Sequence, residues 1–493
     1  MAKITAVIDI GSNSARMAIY RRTSRFGFHL LYEIKSKVRI SEGCYEHNGV
    51  LQEVPMQRAI NALREFLEVA KAHKARKIFC VATSAVRDAP NSKEFLARVK
   101  RECKLAIKVI DGKSEAMYGG VACANLLHAK NGVTIDIGGG STECALIQDG
   151  KIIDTISLNV GTIRIKELFF DKNAEIKKAK EFILNEMKKM PEHFKHSVVF
   201  GVGGTIRALT RTIMKDEEYP FPRIHGYEFG AKAHKAFFEK IYSAPIHKLE
   251  SLGVTPDRLD NIRSGVLIFD LFLEHLGADS VITSGVGVRE GVFLSDLLRS
   301  QRLRFPPDCN PCVMSIQDRF CLEPKFARLL KVEALRLFDT LLPLHKCKED
   351  LRSLLGVGAF LSPIGNVLNF YQSNLHGSYI LLNGLEYGFS HTQRVIIELL
   401  VEFSDRKIPK TAPLLKDFVS KGSIMELQKL QWMSFIIGLT HCIFKTQLPI
   451  KARYELNHHT LRIYTSQSLY LAKEGLQKLQ KPLNSLEIEI IKE

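Results

Sequence analysis

Apolar and polar positions alternate in short runs over the first 300 residues, separated by longer stretches of helical period. Two apolar runs flank a first turn rich in Gly, Ser and Asn, which predicts a β-hairpin. The predicted strands lie at 4–8, 15–20, 28–34, 78–82 and 105–110. One helix is predicted to begin at Pro55, and two more are predicted at 92–101 and 114–127. This order predicts an α/β layer with a partly parallel sheet.

A strand-turn unit occurs twice in this part of the chain. Asp9 ends one apolar strand and Asp136 ends another, and each precedes a turn rich in Gly and Ser. The two aspartates lie 127 positions apart (136 − 9), which is about one domain length. Strand-like runs and helices also follow the second copy. The repeat predicts two similar halves that face each other across a cleft.

Near residue 304 the pattern changes to an almost purely helical period. Apolar stripes predict helices at 326–342, 348–358, 393–403 and 427–444. The last residues are typical of strand, helix and strand, at 461–464, 468–479 and 486–491. We therefore predict four domains, at 1–126, 127–303, 304–450 and 451–493.

The composition excludes several classes of protein. The 493 residues are 45% apolar and 25% charged, as in ordinary folded proteins and unlike disordered ones. No stretch approaches the roughly 18 apolar residues of a membrane span, and no signal-peptide pattern opens the sequence. Ten scattered cysteines are typical of reduced thiols and not of a disulfide framework. We expect a cytoplasmic protein with no membrane partner.

The net charge of +17, from 70 basic and 53 acidic residues, favours polyanionic partners. Nucleic acid, anionic lipid and phosphorylated small molecules all fit this charge. No run of five basic residues and no zinc-finger or RNA-binding motif accompanies it, so a nucleic-acid partner is not expected. A generally basic surface is the alternative that charge alone leaves open.

The two aspartate-headed turns carry the candidate chemistry. Successive N–H groups of such a turn can converge on an anion. Hydroxyl groups add donors at Ser12, Ser14, Ser141 and Thr142. Asp9 and Asp136 repel phosphate, so their expected task is to hold Mg²⁺, directly or through water. Either turn alone is equally typical of a plain hairpin, but two copies at one-domain spacing favour a phosphate cleft.

Two further glycine-rich turns follow strands and precede predicted helices. One contains Gly203, Gly204 and Thr205, and the other covers 284–291. Each can present a helix N-terminus to an anion. Neither has the GxGxxG spacing of a dinucleotide-binding fold, and the P-loop-like tail at 112–114 lacks the first glycine of that motif.

Seven motifs lie in order along the first 300 residues, at 9–16, 82–91, 111–119, 136–143, 158–164, 201–205 and 284–291. They resemble those of the exopolyphosphatase / guanosine pentaphosphate phosphohydrolase family, within the sugar kinase–Hsp70–actin superfamily. The resemblance implies two actin-like, ribonuclease H-like α/β halves around a cleft, then an all-helical HD-like domain and a small α+β terminal piece. It also implies a Mg²⁺-dependent hydrolase acting on the terminal phosphoanhydride bond of inorganic polyphosphate, guanosine pentaphosphate or both.

The resemblance assigns site residues as well. The family's general base falls on Glu115, which would orient or deprotonate the attacking water, although Ser114 replaces the preceding Glu of the family motif. A Glu in a first helical turn otherwise only complements the helix dipole. The implied metal ligands are Asp9, Asp136 and Glu143, but the strand spacing of Glu143 also fits a solvent-facing side chain. The implied phosphate ligands are Ser12, Asn13, Ser14, Arg16, Arg87, Gly138, Gly139, Gly140, Ser141, Thr142, Gly203, Gly204 and Thr205, with Arg87 expected in a loop.

The helical domain departs from the family pattern. Ser362 and Pro363 stand where the family has the His-Asp pair of an HD metal site. We predict no second active site there; the domain would instead wall a channel for a long anion or contact another subunit. Cys309 and Cys312 have CxxC spacing without a second pair, which favours incidental thiols over zinc.

Several alternatives stay open. A homodimer is the default expectation for such an enzyme. A kinase or ATPase of the same superfamily and a non-catalytic polyanion-binding regulator are rival functions. The sequence does not rank polyphosphate against guanosine pentaphosphate as the substrate.

Overall fold

The structure, a computed structural model, describes residues 4–171, 175–412, 414–415, 418 and 427–493. It divides the chain into two units, Met1–Asn310 and Pro311–Glu493. The division lies close to residue 304, where the hydrophobic pattern changes to a helical period. The boundaries at 126/127 and 450/451 stay predictions.

The first apolar runs form a five-stranded sheet. Its strands are β1 (Ile4–Ile10), β2 (Ala15–Arg22), β3 (Phe28–Ser36), β4 (Lys77–Ala82) and β5 (Lys108–Val109). They lie in the order β3-β2-β1-β4-β5, with β1 antiparallel to β2 and parallel to β4. The continuous apolar run of β1 buries Ala6, Val7 and Ile8 completely, as expected of a central strand covered on both faces.

A second sheet repeats this topology. Its strands are β6 (Gly132–Ile137), β7 (Thr142–Gln148), β8 (Lys151–Leu158), β9 (Val198–Val202), β10 (Glu228–Gly230) and β11 (Ser280–Thr283). They lie in the order β10-β11-β9-β6-β7-β8. Without the edge strand β10 and read from the other end, the order is β8-β7-β6-β9-β11. These are the third, second, first, fourth and fifth strands of this half, the same order as in the first sheet. The prediction of two similar halves is confirmed.

Helices connect and cover both sheets. Those of the first half are α1 (Glu53–Ala72), α2 (Ser84–Arg87), α3 (Ser92–Cys103) and α4 (Gly112–Leu126). Those that follow are α5 (Thr162–Ile165), α6 (Ile176–Met187), α7 (Gly203–Asp216), α8 (Lys235–Ser243), α9 (Ile262–Leu276) and α10 (Val288–Leu297). Their apolar faces supply the core: Leu63 and Phe66 of α1 pack against the first sheet, and Leu209 of α7 and Phe269 of α9 against the second.

Helices α4 and α10 each pack on the sheet of the other half. Gly120 of α4 approaches β7 so closely that a Cβ there would lie 2.9 Å from Cβ of Ala145. Phe293 of α10 stacks on Tyr20 of β2, with ring centroids 4.5 Å apart. The two helices meet at Gly291, where a Cβ would lie 1.9 Å from the carbonyl oxygen of Tyr118. The two sheets are therefore joined through a crossing that admits only glycine.

The second unit is helical and ends in a small sheet. Its helices are α11 (Pro311–Phe320), α12 (Pro324–His345), α13 (Glu349–Leu361), α14 (Ser373–Gly384), α15 (His391–Glu402), α16 (Leu427–Ile443) and α17 (Tyr470–Lys478). Its strands β12 (Arg453–Asn457), β13 (Thr460–Thr465) and β14 (Glu487–Lys492) lie in that order. Trp432 and Leu337 are buried in the helical core. The predicted fold class is confirmed.

Two local predictions were wrong, and one strand was not predicted. Arg87 ends the short helix α2 and does not lie in a loop. Only two residues of the predicted strand at 105–110 pair, because β5 is an edge strand that meets β4 at just two positions. Strand β12 was not predicted: it is only five residues long, and although Tyr454 and Leu456 alternate with polar residues, all its side chains are exposed or half-buried.

Two predictions about composition can be compared with the fold. No helix in the described parts of the chain combines the length and the apolar character needed to cross a bilayer. All ten cysteines are free thiols, as the sequence predicts.

Candidate active site

The first aspartate-headed turn joins β1 to β2. Asp9 stands opposite Arg16 in the strand pairing. The Gly11 N–H donates to the carbonyl oxygen of Ser14 across 3.1 Å and closes the turn. Oδ1 of Asp9 is shielded from solvent and has no hydrogen-bond partner among the described residues. This turn therefore presents one unsatisfied carboxylate oxygen.

The second turn joins β6 to β7 with the same geometry. Asp136 stands opposite Glu143 in the strand pairing. The Gly138 N–H donates to the carbonyl oxygen of Ser141 across 2.9 Å. Each of these positions is a residue of the first turn shifted by 127. The repeat seen in the sequence therefore extends to the hydrogen bond that closes each turn.

The two turns meet face to face. A Cβ at Gly139 would lie 2.5 Å from Cβ of Ser12, so the second turn approaches the first as closely as a glycine allows. The segment after β8 supports this arrangement from behind. The N–H groups of Thr162 and Ile163 donate to the carbonyl oxygens of Gly138 and Gly139, each across 2.9 Å. The motif at 158–164 thus holds the second turn against the first.

A crevice of about 160 Å³ lies between the turns. Twelve of the predicted site residues line it, namely Asp9, Ser12, Asn13, Ser14, Arg16, Glu115, Asp136, Gly138, Gly139, Gly203, Gly204 and Thr205. Five predicted residues lie outside this lining, namely Arg87, Gly140, Ser141, Thr142 and Glu143. The fold therefore brings most of the predicted site together from four separate segments of the chain.

The residues outside the lining shape the second turn or sit behind it. The buried hydroxyl of Thr142 donates to the carbonyl oxygen of Val160 across 2.6 Å. Nε of Arg164 donates to the carbonyl oxygen of Gly140 across 2.9 Å. Ser141 is 1% exposed. These positions support the turn, and contacts of Gly140, Ser141 and Thr142 with phosphate stay predictions without support from their location.

Glu143 is buried behind the second turn, so the solvent-facing alternative for its side chain is wrong. It is 2% exposed and accepts a hydrogen bond from Oγ of Ser157 across 2.8 Å. Burial raises the pKa of Glu143 to about 7, and the nearby charge of Asp136 acts in the same direction.

Carboxyl groups lie close together in and behind the crevice. Burial raises the pKa of Asp136 to about 6 and also raises the pKa of Asp9. The pKa of Glu115 lies well above its ordinary value because the group is buried and because Glu143 and Asp9 are negative neighbours. Like charges in a shielded site favour the uptake of protons or of a cation. The chemistry of these carboxyl groups therefore suits a bound cation.

Glu115 is fixed at the start of α4. Oδ1 of Asp111 accepts a hydrogen bond from the Ser114 N–H across 2.7 Å and caps the helix. Nη1 of Arg87 donates to Oε2 of Glu115 and to the carbonyl oxygen of Ile110, both across 3.2 Å. Arg87 thus contacts the candidate base and orients it. Glu115 is 8% exposed and lines the crevice. A Glu that only complemented the helix dipole could do so from an exposed position, so this placement favours a role in the crevice.

Arginines line the same crevice, next to the aspartates. Nη1 of Arg289 donates to Oε1 of Glu33 across 2.6 Å, and Nη1 of Arg16 lies 3.8 Å from the same oxygen. Nε of Arg207 donates to the carbonyl oxygen of Gly203 across 3.0 Å. Burial lowers the pKa of Arg16 to about 10, and the positive charges of Arg289 and Arg207 add to the effect. These mutually repelling cations form a wall suited to an anion.

Several residues of the lining were not assigned from the sequence. They are Thr83, Ser84, Thr162, Arg207, Arg258, Asn261, Arg289 and Glu290, together with backbone of the flanking turns. Arg207 could have been found, since it lies one turn into the helix that follows the glycine-rich motif at 201–205. Arg289 lies inside a motif that was recognised. Arg258 and Asn261 come from a segment with no motif, and only folding brings them to the site.

Helix N-termini also point to the crevice. α7 begins at Gly203, α10 at Val288, and the residue before α9 is Asn261, and all three line the site. Helix N-termini carry unpaired N–H groups and a partial positive charge, which stabilise phosphate. The glycine-rich turns thus do present helix starts to one common site, as the sequence predicts.

The donor set fits Mg²⁺. Asp9 offers a buried oxygen without a partner, and Asp136 offers a second carboxyl group from the facing turn. Among the described residues, no group of three or more His, Cys, Asp or Glu side chains is placed to hold a metal alone. Mg²⁺ in phosphate-handling sites takes one or two carboxylates and completes its shell with water and phosphate oxygens. Two aspartates are sufficient for such an ion, and Glu143 as a third ligand stays a prediction.

Comparison with known proteins identifies the family. Residues 18–300 match the Ppx/GppA phosphatase family, and residues 310–481 match Ppx/GppA phosphatase, domain III. This chain belongs to the Ppx/GppA phosphatase family. Among its curated relatives is the guanosine-5'-triphosphate,3'-diphosphate pyrophosphatase of Aeromonas hydrophila subsp. hydrophila, 26% identical over 459 residues, which cover 90% of this chain and 88% of the relative. The Ppx/GppA motifs recognised in the sequence therefore indicate the family correctly, and with it a phosphoanhydride hydrolase.

Solved Ppx/GppA structures share the fold. The crystal structure of the Aquifex aeolicus family member is 30% identical, with a TM-score of 0.53, over 61% of this chain and 99% of the other. An exopolyphosphatase from Cytophaga hutchinsonii is 20% identical, with a TM-score of 0.55, over 60% of this chain and 98% of the other. At that identity the second likeness shows the fold alone.

Ser362 and Pro363, which stand where the family motif has its His-Asp pair, line a pocket of the second unit. Oγ of Ser362 lies 2.7 Å from Nε2 of His441, and both line a cavity of about 450 Å³. Burial lowers the pKa of His441 to about 4, so its ring is neutral. Sγ of Cys312 donates to the carbonyl oxygen of Gly384 across 2.8 Å, which is a packing role. Within the described residues neither place gathers a metal-binding group.

Proposed function

We propose that this chain hydrolyses the terminal phosphoanhydride bond of guanosine pentaphosphate, of inorganic polyphosphate, or of both, in a Mg²⁺-dependent reaction with Glu115 as general base. One observation carries the proposal. The crevice between the facing turns joins the acidic groups of Asp9, Asp136 and Glu115 to an arginine wall that includes Arg16. Phosphoryl transfer needs charge neutralisation and an aligned water, and little covalent work from the protein.

The arginine wall and the turns bind the phosphate chain. Guanidinium groups of Arg16, Arg207 and Arg289 neutralise phosphoryl oxygens, and the N–H groups of the two turns donate to them. The helix starts at Gly203 and Val288 add partial positive charge. Asp9 and Asp136 hold Mg²⁺, which when bound neutralises charge on the phosphoryl oxygens.

Glu115 holds the proton that the attacking water gives up. Its Oε2 accepts a hydrogen bond from Arg87, which fixes the carboxyl group and opposes the rise in its pKa. Burial and the negative neighbours raise that pKa, and a base works best when its pKa is near the working pH. After the bond breaks, the carboxyl group returns its proton to solvent through the crevice that it lines.

The two substrates share the chemistry of their ends. Both present a terminal phosphoryl group on a polyanion, and the arginine wall serves either. The curated relative from Aeromonas hydrophila carries the name of a guanosine-5'-triphosphate,3'-diphosphate pyrophosphatase and matches 90% of this chain. Guanosine pentaphosphate is therefore the first substrate to test, and long-chain polyphosphate is the second.

The test is phosphate release from each substrate in parallel. Glu115→Gln removes the base but keeps the shape, and we expect kcat to fall on the order of 10²–10⁴-fold on every accepted substrate. The matched control is Glu94→Gln, the same change at an exposed position in the first turn of α3. Its kcat is expected within twofold of wild type. Undiminished turnover by Glu115→Gln would reject the assigned base. No phosphate release by wild type from either substrate would reject the function.

A further inference from the structure

A second pocket, of about 390 Å³, lies at the ends of the central strands of the first sheet that are opposite to the crevice. The start of β1, the end of β2 and the start of β4 line it, together with the last turns of α10. Thr5 of β1 lines this pocket and Asp9 of the same strand lines the crevice. Four residues of strand separate them by about 13 Å, at roughly 3.3 Å per residue. The two pockets are therefore separate sites.

The second pocket is strongly basic. Five basic side chains line it, those of Arg22, Arg25, Arg76, Lys77 and Arg299. Its one acidic residue in the described lining is Asp296, whose two carboxylate oxygens lie 2.7 and 2.9 Å from Nζ of Lys77. The formal sum is four positive charges in excess (5 − 1). Walls of one charge sign around a concavity focus the field and concentrate counter-ions.

Aromatic rings and backbone hold some of these cations in place. The guanidinium carbon of Arg25 lies 5.0 Å from the ring centroid of Phe26. Nε of Arg22 donates to the carbonyl oxygen of Ser24 across 2.8 Å. In the described residues no carboxylate lies in ion-pair range of Arg22 or Arg25. Both guanidinium groups are thus oriented without their charge being neutralised.

We propose that this pocket binds a compact polyanion of the class of multiply phosphorylated small molecules, at a site separate from the substrate crevice. Arginine recognises phosphate through paired N–H donors in a planar fork, and four of the five cations here are arginines. A volume of 390 Å³ lies within the range of small-molecule pockets. A concave pocket of this size favours a small ligand over a nucleic-acid strand.

One helix connects the two sites. Arg289 and Glu290 at the start of α10 line the crevice, and Phe293 and Asp296 further along α10 line the second pocket. An anion in the second pocket competes with Asp296 for Lys77. A ligand at this site therefore contacts the element that carries two charged groups of the crevice.

The test is calorimetric titration with cyclic trimetaphosphate at low salt. This probe is a compact trianion without a terminal phosphoryl group, so its binding does not depend on the proposed hydrolysis. We expect wild type to bind it, and Arg25→Glu/Arg299→Glu to weaken its Kd at least tenfold. The control Arg101→Glu/Lys232→Glu makes the same charge change at exposed positions outside both pockets and should bind within twofold of wild type.

Other outcomes overturn the proposal. An unchanged Kd in Arg25→Glu/Arg299→Glu, or an equal loss in the control pair, would show that no site lies in this pocket. A loss confined to Arg16→Ala would place the probe in the crevice instead. Arg25 and Arg299 are both exposed, so the charge-reversed variant should keep the thermal midpoint of wild type. The milder pair Arg25→Gln/Arg299→Gln should weaken the affinity for the probe three- to tenfold.

Discussion

Replacing Asp136 by Asn should stabilise the unliganded protein at neutral and higher pH. Burial raises the pKa of Asp136 from 3.8 to about 6. One pKa unit corresponds to about 1.4 kcal/mol, so the charged form destabilises the fold by about 3 kcal/mol. The neutral amide of Asn has nearly the same shape and carries no such penalty.

The sign of the pH dependence follows from linkage. Because the pKa is raised on folding, the folded state binds more protons than the unfolded state between pH 4 and 6, and stability falls as pH rises through this window. Above about pH 6 the penalty in wild type is complete, and below about pH 4 it vanishes. Asp136→Asn should therefore exceed wild type in stability most at pH 8 and match it at pH 4.

The assay is the thermal unfolding midpoint at fixed scan rate, from pH 4 to 8, with and without Mg²⁺. Asp216→Asn, an exposed position in the same unit, is the control and should follow wild type. A cation that binds the folded state stabilises it by mass action, so Mg²⁺ should raise the midpoint of wild type and raise that of Asp136→Asn less. A variant that is less stable than wild type at pH 8 and responds equally to Mg²⁺ would refute the reasoning.

Three further predictions follow from the site. Gly161→Ala places a Cβ 2.4 Å from backbone atoms of Gly139, so it should cost about 1–3 kcal/mol and lower the thermal midpoint, while Gly119→Ala, with open space around it, should not. Arg16→Ala removes a proposed charge-assisted contact with phosphate, of about 1.5–3 kcal/mol, and should raise the KM for the polyanionic substrate about tenfold or more in a steady-state assay. The control Arg21→Ala, on the same strand, should leave KM unchanged. The proposed base Glu115 must be deprotonated in the free enzyme, so kcat/KM should increase with pH up to its raised pKa, and a profile that is flat from pH 5 to 8 would contradict the proposed role.

Much of the fold could be predicted because the pattern is strong where the site is built. The run at 4–8 and the turn at Gly11 determine a buried strand and a hairpin, and their repetition 127 residues later predicts the second sheet. The strand pairing of Asp9 with Arg16, and of Asp136 with Glu143, agrees with the alignment of the two repeats. Local propensity, hydrophobic period and turn chemistry all point to one structure here.

The parts that could not be predicted depend on contacts distant in sequence. Helix α4 packs on the second sheet and α10 on the first. The sequence of each helix shows which side is apolar, but it does not show which sheet that side covers. Arg258 reaches the crevice from a loop with no motif. The hydrogen bond from Arg87 to Glu115 depends on side-chain placement within α2, which the sequence does not show, and contact of Arg87 with phosphate stays a prediction.

The most direct test of the account is whether the two facing turns share one metal ion. Mn²⁺ can replace Mg²⁺ and be counted by electron paramagnetic resonance, in the presence of the methylene-bridged analogue of tripolyphosphate. Wild type should bind the ion together with the analogue, and Asp9→Asn and Asp136→Asn should each weaken this binding at least tenfold. Equal Mn²⁺ binding by wild type and both variants would contradict a site built between the turns.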